Sequence, residues 1–119
     1  MATTQEIPRD TWRTYFDEIS RTLGTVKATV EITGRDLGAQ VAADGLVLTG
    51  VSYDDRDDVV VIGLDAPGGH IEEAEHLVEH PQKILVATGA DAGVAIDIED
   101  ADAHQTIIRL ATAPALPGD

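Results

Sequence analysis

Thr25-Val26-Lys27-Ala28-Thr29-Val30-Glu31-Ile32-Thr33 alternates polar and apolar residues without a break. Successive side chains of an extended chain point to opposite faces, so this pattern buries Val26, Ala28, Val30 and Ile32 and leaves the others wet. The period just before it is different. Trp12, Tyr15, Phe16, Ile19 and Leu23 fall at i, i+3, i+4, i+7 and i+11, one stripe of an α-helix. Asp10, after Ile7-Pro8-Arg9, stands where an N-cap would be, and Gly24 closes the helix. Arg13, Asp17 and Arg21 lie on the opposite side at pairing distance. The change of period at Gly24 therefore marks a helix giving way to a sheet.

Further along, the chain reads as strands joined by polar turns. Gly34 to Gly38 is a turn. Ala39 to Tyr53 is one long strand or two short ones broken at Asp44-Gly45. Asp54 to Asp58 is a hairpin connection, and Val59 to Leu64 is apolar enough for a central strand. His70 to His80 mixes signals: Ile71, Ala74, Leu77 and Val78 have helical spacing, and Pro81 stops any continuation. The expectation is a short helix at about 71–76, extended before Pro81. Ile84–Val86, Val94–Ile98 and Thr106–Leu110 complete the set. Short connections imply antiparallel neighbours, because parallel strands need long crossovers. The fold class expected is α+β and β-dominated. An N-terminal amphipathic helix packs on an antiparallel meander of about six strands, a strongly bent sheet or small partly open barrel. Residues 1–119 form a single domain, with tails at 1–8 and 112–119.

Ile7-Pro8-Arg9-Asp10-Thr11-Trp12, followed by Tyr15-Phe16-Asp17 and Ser20-Arg21, resembles the opening of a family of small uncharacterised bacterial proteins. His76 to Ile84 and Thr106 to Leu110 are similar to that family's other recurring segments. Where the family places Asp-Gly before its last strand, this chain has Asp102-Ala103. The resemblance implies one domain of unknown function and brings no catalytic residues.

Composition narrows the function classes. The chain has 22 Asp+Glu against 8 Lys+Arg, a formal charge of −14, which argues against nucleic acid or an anionic membrane as partner. With no cysteine there is neither a disulfide frame nor a thiolate metal site. No long apolar run and no basic-then-apolar leader stands in the sequence, so a cytoplasmic location is expected. Short carboxylates with lysine only at positions 27 and 83 suit a protein of a salt-tolerant bacterium; a GC-rich genome yields the same bias. The first and last strands, Val26–Thr33 and Thr106–Leu110, are the expected sheet edges: paired with each other they close a barrel and leave a monomer, and left unpaired they favour a homodimer.

One motif carries recognisable chemistry. His76-Leu77-Val78-Glu79-His80 matches the H-x-x-E-H pattern of zinc peptidases, in which two histidines on one helical face bind the ion. Pro81 ends such a helix too early, and no second helix follows to supply a third ligand. A metal site from His76, His80 and Glu73, with Glu72, His70 or His104 nearby, would select Zn²⁺ or Ni²⁺ by its nitrogen and carboxylate donors. Asp54-Asp55-Arg56-Asp57-Asp58 lacks the spacing and glycine of a calcium loop, so cation accumulation without a defined site is expected there, and the same caution covers Asp91, Asp97, Glu99, Asp100 and Asp102. Ser20 and Ser52 lie in no nucleophile elbow, and no phosphate loop exists. The favoured function is a small acidic non-enzymatic binding or assembly module without a cofactor. The alternative is a metal-binding protein or metal-dependent hydrolase built on His76 and His80.

Overall fold

The computed structural model describes residues 3–22, 26–34, 38–65, 73–88 and 93–110. Along the chain run β1 (Thr3–Glu6), a 3-10 turn (Arg9–Thr11), α1 (Trp12–Thr22), β2 (Lys27–Gly34), β3 (Gly38–Asp54), β4 (Val59–Asp65), β5 (Glu73–Glu79), β6 (Pro81–Thr88), β7 (Val94–Asp100) and β8 (Gln105–Leu110). The strands form one antiparallel sheet in the order β1-β6-β7-β8-β2-β3-β4-β5, which is not closed. The β-dominated class stands, with eight strands among the described residues instead of about six.

The helix stripe is buried as its spacing predicts: Trp12, Phe16 and Ile19 are each no more than 1% exposed. Trp12 meets Tyr53 of β3 edge-on at 5.2 Å, and its indole N–H donates to the Ile7 carbonyl at 2.8 Å. Ser20 docks the other end of α1, its Oγ accepting from Val51 N and donating to Val51 O. The stripe's last member, Leu23, and the closing Gly24 lie outside the described residues. Asp10 does not cap α1. The turn begins at Pro8, without a side-chain cap, and Asp10 is taken up inside it. Arg21 pairs with Glu18 at 3.1 Å.

Strand burial alternates as the polar–apolar pattern requires. Val60, Ile62 and Leu64 of β4, Val94, Ile96 and Ile98 of β7, and Ile108 and Leu110 of β8 face the core with Val26, Ala28 and Val30, whereas Ile32, expected to be buried with them, is only half-buried. Asp44-Gly45 is not a turn. β3 runs through it as one strand, and Gly45 at φ 70° takes part in a bulge where Ala28–Leu46 pairing shifts to Val30–Ala43.

Three expectations are corrected. Residues 3–6, expected in the N-terminal tail, form β1 on β6, because Ile7 is buried and its N–H donates to Ile84 O at 2.9 Å. The expected C-terminal tail, 112–119, lies outside the described residues. Glu73–Glu79 is a strand and not a helix: it pairs with all of β4, setting Val78 opposite Val60. That ladder and the burial of Val78 outweigh the local helical preference of the glutamates. Finally, β2 and β8 are interior strands paired with each other, and the edges are β1 and β5. The first and last strands of the meander meet at the middle of the sheet, and β1 extends it beyond β6. β5 passes into β6 through His80 alone, yet the two are not ladder partners.

Candidate functional site

That one-residue passage builds a cleft. Between β5 and the β7–β8 turn lies a space of about 350 Å³ lined by Ile32, His76, Leu77, Val78, Glu79, His80, Asp100, Asp102, His104 and Thr106. Three of the chain's four histidines are gathered there; the fourth, His70, lies outside the described residues, as does Glu72. A second cleft of about 360 Å³, between β1 and the start of α1, contains Tyr15, Asp10 and Glu18 but no histidine.

The turn Asp100–His104 is locally self-made. Asp100 Oδ1 accepts from the backbone N–H of Asp102 at 2.9 Å and of His104 at 3.0 Å. Asp100 N donates to His104 O, and Ala103 N donates to Asp100 O. An Asx-type turn of this kind uses the short carboxylate as a substitute for backbone pairing. It tightens the hairpin enough to force Ala103 to φ 63°, in the left-handed region. The result points donors one way: the ligand atoms of Asp100, Asp102 and His104 lie within 4.8 Å of one another, with Asp100 Oδ2 3.8 Å from His104 Nδ1.

His76 and His80 enter this cleft by another geometry than a peptidase helix. Four residues of strand span about 13 Å, against about 6 Å between helical neighbours, so H-x-x-E-H does not aim two rings at one point here. His76, opposite Ile62, lies half-buried on β5, and burial pushes its pKa below the usual histidine range. That favours the neutral ring a metal ion requires. Glu73 sits at the far end of β5 opposite Asp65, its side chain outside the described residues.

His80 follows β5 at φ 54° and is fixed by its backbone. Its N–H donates to Asp58 O at 2.8 Å, and its carbonyl accepts from Ala101 N at 3.0 Å, inside the donor turn. Its Nδ1 is 3.4 Å from Asp58 Oδ2. Asp58 also accepts from the Tyr53 hydroxyl at 2.7 Å and faces Arg9 at 3.6 Å, while Arg9 donates to Pro81 O and lies over the Trp12 ring. The Tyr53 bond above all, aided by His80 and Arg9 against the cost of burial, holds the Asp58 carboxyl below the usual range. In the remainder of the Asp54–Asp58 run, Asp54 accepts from Arg56 N and Asp57 N, which is turn chemistry.

The sequence signal for the donor turn was the alternate spacing Asp100-x-Asp102-x-His104. It is masked in one dimension by the many carboxylates around it. No helix of the described residues is long and apolar enough to cross a membrane.

An uncharacterized protein of Aquifex aeolicus (strain VF5) is 32% identical over 114 residues, covering 96% of this chain and 97% of that protein. No solved structure matches. The model of the family of unknown function DUF5335 matches residues 3–119, and the chain belongs to that family.

Proposed function

We propose that the protein is a non-enzymatic binding module whose ligand is a divalent transition-metal ion held in the cleft between β5 and the β7–β8 turn. The supporting observation is the convergence of Asp100, Asp102 and His104 donors within 4.8 Å in a cleft that His76 and His80 also line. Mixed imidazole and carboxylate donors suit Zn²⁺ or Ni²⁺ better than the all-oxygen shell that Ca²⁺ prefers. Asp100 shapes the turn through its carboxylate, so the donors chosen for substitution are Asp102 and His104, whose parts in the turn are backbone hydrogen bonds that alanine keeps.

Melting of the tag-free protein with and without Zn²⁺ or Ni²⁺ tests this. An ion at a hundred times its Kd adds about 2.7 kcal/mol by linkage, and Asp102→Ala and His104→Ala each abolish the shift. No rise in Tm at high excess of either ion, or a rise that survives both substitutions, refutes the reading.

A further inference from the structure

His80 and Asp58 raise a question that the donor turn alone does not answer. Asp58 lies on the β3–β4 turn, outside the cleft, yet its carboxylate faces the ring of a residue that lines it. A carboxylate can only accept, so the imidazole nitrogen that faces it carries the proton. In a neutral imidazole that leaves the other nitrogen with a free lone pair. Such carboxylate–histidine pairs orient rings for metal ions and fix the tautomer.

We infer that Asp58 is a positioning residue: it holds His80 as the Nδ1–H tautomer, so that Nε2 is the donor offered to an ion in the cleft. Three features of the geometry support it. The His80 backbone is held on both sides, by Asp58 O and by Ala101 N, so the ring has a fixed root between Asp58 and the donor turn. Asp58 is held in turn by Tyr53 on Oδ1, which leaves Oδ2 for the ring. Ala101 stands between Asp100 and Asp102, so the hydrogen bond to His80 ties this histidine directly to the turn that carries the other donors. The inference rests on the metal-binding reading above: the exposed His80 ring lies outside the group formed by Asp100, Asp102 and His104 and would join it as a fourth donor when an ion binds.

The test separates the two. Long-range ¹H–¹⁵N spectra of the full-length, metal-free protein, recorded where the histidines are neutral, read the tautomer of His80 without any ion. The wild type shows a protonated Nδ1 and an unprotonated Nε2. In Asp58→Asn the side-chain oxygen still accepts from Tyr53 while its amide donates to Nδ1, so the tautomer inverts to Nε2–H. Zinc titration then moves His80 Nε2 in the wild type, and Asp58→Asn weakens zinc binding about 10–100-fold with little change in Tm. Wild-type His80 found as Nε2–H overturns the inference without any variant. So does zinc that shifts His104 while leaving His80 untouched, in which case the metal site itself stands. An inverted wild-type assignment and an absence of zinc binding are thus different results, and the latter overturns the metal-binding reading together with this one.

Discussion

Replacing Trp12 tests the packing on which the whole fold depends. The side chain is 1% exposed, its ring is edge-on to Tyr53, Arg9 covers its face at 4.6 Å, and its N–H closes on Ile7 O. Trp12→Phe keeps an aromatic ring but strands the Ile7 carbonyl, which costs about 1 kcal/mol. Losing part of the buried ring adds about 1–2 kcal/mol, for a total of about 2–3 kcal/mol. Trp12→Ala removes the ring and its contact with Tyr53 as well, at about 4–5 kcal/mol. A domain of this size has about 5–15 kcal/mol in all, so the alanine variant sits near the edge of folding and the phenylalanine variant is the quantitative one. Urea unfolding followed by far-ultraviolet circular dichroism measures both, since the reporter indole is lost. A Trp12→Phe cost below about 0.5 kcal/mol would show that the indole N–H and its packing carry no weight. Wild-type fluorescence that is red-shifted and freely quenched would show that the stripe is exposed, against the structure.

Asp97 on β7 stands between Leu85 and Ile107 on neighbouring strands, with one carboxylate oxygen buried and unpartnered. Burial first, then the charge of Glu99, raise its pKa against the opposing pull of Lys83. A folded-state pKa above the unfolded one means the ionised group costs stability at neutral pH, a cost that disappears as pH falls through the raised value. Asp97→Val is therefore expected to stabilise by about 1 kcal/mol at pH 7, with the gain shrinking towards pH 4. A variant that melts lower than wild type, or a gain independent of pH, refutes this. Ala103 at φ 63° gives a separate expectation: Ala103→Gly relieves left-handed strain of about 1–2 kcal/mol, less the added freedom of the unfolded chain, for a net gain of about 0.5–1 kcal/mol. Thermal melting checks it, and a loss of stability would contradict the strain.

The helix at Trp12 and the strand at Lys27 were legible because each has its own period, 3.6 and 2, and the buried faces follow those periods, except that Ile32 at the cleft is only half-buried. Net charge and missing cysteine were equally plain, since they need no neighbours to be read. Residues 73–79 were not legible. Their glutamates and their i, i+3 apolar spacing favour a helix locally, but β4 offers seven residues of ladder along its free edge, and Val78 is buried only if the segment is extended. The site moved for the same reason. A helix would have placed His76 and His80 side by side; a strand separates them and delivers both to a cleft beside Asp100, Asp102 and His104. The sequence by itself determined the helix, the alternating strands and the acidic surface. Only the tertiary structure decided the edges, the strand at β5 and the grouping of donors, because strand order and cleft depend on contacts between residues far apart in the chain, and such contacts leave no period to read.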